Sequence, residues 1–175
     1  MKPVLGFIGL GIMGKPMVRN LLKAGYSVHA FSIVAQDVEE IVRDGAVGQT
    51  SARAVAEAAD ITITMVPNTP QVEDVLFGEN GLASALREGK VVIDMSTISS
   101  LATRNFAEKI KALGANMLDA PVSGGDKGAK GGTLSIMVGG EADVFARCKP
   151  ILEVLGGQAG RWGLNLLLLS LMVQH

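Results

Sequence analysis

The hexapeptide Gly9-Leu10-Gly11-Ile12-Met13-Gly14 constrains this chain more than any other feature. It has the pattern G-x-G-x-x-G. It follows an apolar run, Val4-Leu5-Gly6-Phe7-Ile8, that reads as a buried strand. It opens a segment from Met13 to Lys23 whose apolar residues Met13, Met17, Leu21 and Leu22 share one helical face and which Gly25 closes. Strand, glycine turn and helix is the context in which the pattern reads as a dinucleotide-binding turn. Gly9 would permit the tight turn, Gly11 a close approach of backbone to a pyrophosphate, and Gly14 close packing of helix on strand. The first amides of the helix and its dipole favour a phosphate there, so Leu10, Ile12 and Met13 are counted with the three glycines as cofactor-binding. The plainer alternative is a glycine-rich turn of an ordinary α/β protein.

The rest of the chain alternates in the same way. Strands are expected at Val28 to Phe31, Ile61 to Val66, Val91 to Met95, Asn116 to Asp119 and Leu134 to Val138. Helices are expected at Asp37 to Arg43, from a Ser51 cap to Ala58, at Gln71 to Leu76, Leu82 to Leu86, Ser100 to Leu113 and Ala142 to Leu155. Repeated strand–helix units imply an α/β fold: a doubly wound, mostly parallel Rossmann sheet. The glycine- and lysine-rich stretch from Gly124 to Gly132 reads as a loop.

A carboxylate about 20 residues past the glycine motif usually receives the ribose 2′-hydroxyl. Phe31-Ser32-Ile33-Val34 stands there instead. Ser32 can donate to a phosphate oxygen and does not repel one, so selection against NADP is relaxed. No arginine follows directly to select for it. The plainer alternative is that Ser32 merely caps the strand, and the cofactor stays open as NADP or NAD.

Composition narrows the partners. The chain has 175 residues, 48% hydrophobic and 19% charged, with a formal net charge of −1, and no basic patch suited to nucleic acid. Its one cysteine, Cys148, allows no internal disulfide and fits a reducing, cytoplasmic setting; it reads as a small helix residue rather than a nucleophile. The longest apolar run, Leu164 to Val173, is about half the ~20 residues a membrane span needs. No membrane partner is expected, and the run offers an oligomer contact. Residues 1–157 read as one NAD(P)-binding Rossmann domain and 158–175 as an atypical apolar tail.

Longer motifs bring in a resemblance. Gly6 to Met17, followed by Asn20-Leu21-Leu22-Lys23-Ala24-Gly25, resembles the N-terminal signature of the β-hydroxyacid dehydrogenases, the 3-hydroxyisobutyrate dehydrogenase-like enzymes. Met65-Val66-Pro67-Asn68-Thr69-Pro70 and Asp119-Ala120-Pro121-Val122-Ser123-Gly124-Gly125, with Gly132-Thr133-Leu134, agree with it. Val75 to Gly81 looks most like the tartronate semialdehyde reductase branch. The resemblance runs from Met1 to about Leu155. It implies that Val66, Pro67 and Gln71 contact the cofactor and that Thr97 lies near the nicotinamide ribose. It also implies that Ser123, Gly124 and Gly125 hold the carboxylate of a small 3-oxo or 3-hydroxy acid, a task for which bare backbone amides are suited.

Enzymes of this family continue with a helix carrying a catalytic lysine and then an asparagine, and with a long all-helical domain. Here no lysine follows Lys149, and Asn165 follows none. Lys127 and Lys130 read as solvated loop charges, and neither His29 nor His175 is placed as an acid. No catalytic residue and no metal ligand is therefore assigned. The expectation is a Rossmann half whose helical second domain is absent, truncated and catalytically impaired, or else a non-catalytic dinucleotide-binding module or partner-dependent fragment.

Overall fold

The computed structural model describes residues 1–159. The run Leu164 to Val173, and the oligomer contact expected of it, lie outside the described residues.

Six short strands form one parallel sheet: β1 (Leu5–Ile8), β2 (Val28–Phe31), β3 (Val47–Gly48), β4 (Ile61–Thr64), β5 (Val91–Asp94) and β6 (Asn116–Asp119). Their order is β3-β2-β1-β4-β5-β6, with every neighbouring pair parallel. β1, β4 and β5 are buried along their whole length, which is why they are near-continuous apolar or β-branched runs rather than alternating ones. Helices cover both faces: α1 (Gly14–Lys23), α2 (Ala35–Arg43), α3 (Ala52–Ala58), α4 (Thr69–Phe77) and α5 (Ser100–Ala112). Successive strand residues point to opposite faces, so Phe7, Ile63 and Ile93 enter one apolar core with Met17, Leu21 and Ile41. Ile8 and Val92 enter the other with Val55, Leu76 and Phe106. This is the doubly wound α/β architecture expected.

Local chemistry sets several boundaries. Ser51 Oγ accepts from the Ala54 amide at 3.0 Å and starts α3. Asn68 Oδ1 accepts from the Gln71 amide at 3.1 Å, and Pro70 occupies the first turn. That cap starts α4 earlier than the apolar pattern alone indicates. The segment Leu82–Ala85 tightens to a single 3₁₀ turn.

Two expectations are corrected. The stretch Gly124 to Gly132, read as a loop, contains a helix, α6 (Gly125–Gly131). Its glycines obscure it in the sequence, but Gly128 and Ala129 are buried. Asn20 Nδ2 on α1 donates to the Ala129 carbonyl at 2.8 Å, and Lys130 pairs with Asp126 one turn away. Lys130 is therefore a helix-face ion-pair partner rather than a free loop charge. The strand expected at Leu134 to Val138 contracts to β8 (Ser135–Ile136) and leaves the main sheet. It pairs antiparallel with β7 (Val122–Ser123) and parallel with β9 (Gln158–Ala159). The helix expected from Ala142 to Leu155 is present as α7 (Ala142–Leu155), and it joins β8 to β9, a strand not expected from the sequence.

Candidate functional site

The chain changes direction across the sheet between β1 and β4, and in such sheets ligands sit in the crevice beyond the carboxyl ends of the strands at that point. A cavity of about 530 Å³ lies there. Gly9 through Gly14 line it from the end of β1, Phe31 through Val34 from the end of β2, and Met65, Val66 and Pro67 from the end of β4. Gln71, Asp74 and Val75 of α4 and Asp37 of α2 complete it. Leu10, Ile12, Met13, Ser32, Val66, Pro67 and Gln71, scattered over sixty residues of sequence, thus share one space with the three glycines. Ile12, Ile33 and Val34 are exposed apolar side chains gathered at its rim, a surface suited to a planar base.

The three motif glycines answer to different physical demands. Gly9 has φ 102°, and a Cβ there would collide with the Met65 carbonyl. A Cβ on Gly14 would collide with the Gly9 carbonyl and meet the Phe7 ring at 3.2 Å. Both positions are glycine because the fold leaves no space. Gly11 differs: its φ is outside the left-handed region and a Cβ would meet nothing within 4 Å. No protein atom requires a glycine there. Beside it, the amides of Gly11, Ile12 and Met13 donate to no carbonyl among the described residues. Open space, unpaired amides and the N-terminus of α1 together make a fitted place for a pyrophosphate.

Thr97 and Ser123-Gly124-Gly125 do not line this cavity. They follow β5 and β6 by a few residues and so hang from the same sheet edge, farther along it; all four are exposed. Gly124 and Gly125 have φ 133° and 61°, and β8 holds Ser123 opposite Ser135.

Between the cavity and this second group lies a buried network that sequence reasoning missed. Asp94 Oδ1 accepts from Thr64 Oγ1 at 2.9 Å and from the Ser96 amide at 3.1 Å. Ser96 Oγ in turn accepts from the Val66 amide at 2.9 Å, tying the cavity wall to the sheet. Asp94 is fully buried, and its Oδ2 has no hydrogen-bond partner. Burial raises its pKa against the pull of the Ser96 and Thr64 hydrogen bonds. Its register partner on β6 is Asp119, whose pKa is pushed up to about 7 by burial and then by the neighbouring Asp94 charge. No local motif marks this pair; only the parallel register brings residues 25 apart together. Asp37 and Asp74 were also missed as cavity residues. The available signal was slight: an acidic residue in the first turn of the helix after β2.

Among the described residues, no group of three or more His, Cys, Asp or Glu is placed to hold a metal, and no helix is long and apolar enough to cross a membrane. Cys148 is buried, with its thiol pushed up to about 11, far from a reactive thiolate.

The sequence profile described as the NAD binding domain of 6-phosphogluconate dehydrogenase matches residues 4–163. The 2-hydroxy-3-oxopropionate reductase of Escherichia coli K12 is 55% identical over 152 residues, which are 87% of this chain and 52% of the relative. A solved Mycobacterium tuberculosis 3-hydroxyisobutyrate dehydrogenase with L-serine superposes with a TM-score of 0.85 at 36% identity, over 90% of this chain and 53% of that one. Psf3 in complex with NADP+ and 2-OPP superposes with a TM-score of 0.85 at 32% identity, over 89% of this chain and 55% of that one. The chain spans about half the length of these relatives. Its glycine turn, its switch-point cavity and these matches agree: the chain belongs to the family of the NAD binding domain of 6-phosphogluconate dehydrogenase.

Proposed function

We propose that the chain holds NAD(P) for hydride exchange with a small 3-hydroxy or 3-oxo acid, of which tartronate semialdehyde (2-hydroxy-3-oxopropionate) is the best candidate. The observation that carries this reading is Gly11, a glycine no protein contact explains, beside three unpaired amides. When bound, the nicotinamide supplies or accepts the hydride. Gly9 through Gly14 would bind the pyrophosphate, and Ser32 would face the adenosine ribose. Val66, Pro67 and Gln71 would form the opposite wall, with Thr97 near the nicotinamide ribose. Ser123, Gly124 and Gly125 would receive the acid's carboxylate; two glycines at positive φ in an exposed turn leave that backbone open to an anion. The 55% identity to a 2-hydroxy-3-oxopropionate reductase supports the choice of substrate. A single buried cysteine supports a cytoplasmic setting.

A specific observation favours a second reading, binding without turnover. The charged residues lining the cavity are Asp37 and Asp74, and neither is placed as a proton donor to a carbonyl oxygen. General acid catalysis contributes about 10²–10⁴-fold, so a polypeptide of these 175 residues is expected to bind cofactor but not to turn over at enzymatic speed. Titration with reduced cofactor, followed by nicotinamide fluorescence, should saturate; adding tartronate semialdehyde should cause oxidation well below ~1–10³ s⁻¹. A signal that never saturates removes both readings, and turnover inside that range removes the second.

The Ser96 hydroxyl gives an independent check on the cavity wall. Ser96→Ala deprives the Val66 amide of its acceptor and is expected to lower stability by about 1 kcal/mol. It should also weaken cofactor binding several-fold, because Val66 loses its anchor. Urea unfolding and the same titration read both effects; unchanged affinity would show that Val66 does not need that anchor.

A further inference from the structure

We propose that the cavity selects NAD(H) against NADP(H), with Asp37 as the residue that turns away the 2′-phosphate. The inference rests on the cofactor reading above and deepens it. Ser32, where a carboxylate is usual, leaves the choice open. The structure supplies a carboxylate from another element. Asp37 stands in the first turn of α2, just beyond the Ser32–Val34 loop, and lines the cavity together with that loop. This is the end of a doubly wound sheet where the adenosine ribose hydroxyls are met. Asp74, the other charged lining residue, belongs to α4 and the opposite wall. Among the described residues, no lysine or arginine lines the cavity.

The nearest cations are already engaged. Lys15 Nζ lies 3.0 Å from Asp37 and 2.9 Å from Glu40. Arg19 lies 2.5 Å from Glu40 and 2.8 Å from Asp44. This ladder between α1 and α2 sets two cations against three carboxylates, a net charge of −1. Hydrogen bonds from Lys15 and Arg19 hold Glu40 below the usual carboxylate range, so it remains ionised and keeps its grip on both. A 2′-phosphate brings up to two further negative charges. To gain Lys15 it would have to displace two carboxylates while Asp37 stayed beside it, and like charges brought together in this way are strongly disfavoured. A free ribose 2′-hydroxyl meets the opposite situation, since it can donate to a carboxylate. Ser32 Oγ accepts from the Val34 amide at 3.3 Å, which fixes the loop that brings Ser32 and Asp37 to one wall.

The test compares NADH and NADPH dissociation constants for the 175-residue chain, by fluorescence titration at low ionic strength. NADH should bind at least about tenfold tighter, and the gap should narrow as salt is raised. Asp37→Asn should reduce the preference by about tenfold, chiefly by tightening NADPH, and Asp37→Glu should retain it. Asp37→Ser serves if the asparagine variant fails to fold. Equal or tighter binding of NADPH by the unsubstituted chain, or an unchanged ratio in the variants, overturns the role of Asp37 and leaves the cofactor reading standing. Saturable binding of neither nucleotide overturns that reading and this inference with it.

Discussion

Gly11→Val is expected to melt within about 2 °C of the unsubstituted chain and to bind reduced dinucleotide at least about 100-fold more weakly. The two halves of this result come from one observation. A Cβ at position 11 would meet no protein atom within 4 Å and needs no unusual backbone angle, so a small β-branched side chain is expected to be tolerated in folding. Gly11 lines the cavity, so a side chain there is expected to compete for the space in which the Gly11, Ile12 and Met13 amides would reach a pyrophosphate. Hydrogen bonds to charged groups contribute about 1.5–3 kcal/mol each, and losing two of them accounts for the factor. Gly14→Ala is the contrasting control. Its Cβ overlaps the Gly9 carbonyl, and backbone cannot retreat as a flexible side chain can. A loss on the order of 3 kcal/mol or more is expected, and Gly9→Ala adds the strain of φ 102° to a similar collision. Circular dichroism melts and cofactor titrations on the three variants separate the cases. Retained affinity in Gly11→Val, or a large drop in its melting temperature, would contradict the assignment of that glycine to the ligand.

The three glycines show how far sequence carries. Their spacing between a strand and a helix was enough to locate the turn, because the turn is local. Strands β2 and β6 and helix α7 were legible to the residue, since apolar runs and stop signals are local as well. Helix α6 was not: Gly125, Gly128 and Gly131 argue against a helix, and what favours it is the Asn20 side chain on α1, more than a hundred residues away. Strand β8 was placed too long because Leu134 and Val138 are buried without being paired in a strand. The cavity was legible as a set of loops, but its charge was not. Asp37 enters the site through the packing of α2 against α1, and the spacing of the sequence gives no measure of that. The Asp94–Asp119 pair is a product of strand register alone.

That pair yields the last prediction: the chain is expected to lose stability as pH rises from about 5 to about 7. Asp119 has its folded pKa raised from 3.8 to about 7. Between these values the folded state keeps a proton that the unfolded state has released. Protons are then bound in greater number by the folded form, and the free energy of unfolding falls with rising pH. The slope for one such group is about 1.4 kcal/mol per pH unit. The fall ends near pH 7, where the folded state also gives up the Asp119 proton beside Asp94, whose Oδ2 is unpartnered. From pH 5 to pH 7 the loss is about 2 kcal/mol, a substantial share of the 5–15 kcal/mol typical of a domain. The groups working in the opposite sense are Glu40 and Asp126, whose ion pairs hold them below their ordinary values. Their contribution is complete above the usual carboxylate range and is lost only in stronger acid, so it does not mask a measurement above pH 5. Asp119→Asn removes the titrating proton and keeps the size of the side chain. Urea unfolding at several pH values from 5 to 7.5 should show a falling curve for the unsubstituted chain and a shallower one for Asp119→Asn, in which the raised Asp94 still acts in the same sense, with the variant the more stable of the two at pH 7.5. A flat curve for the unsubstituted chain, or parallel curves for both, would mean that Asp119 ionises without hindrance and that water reaches the carboxyl edge of β6.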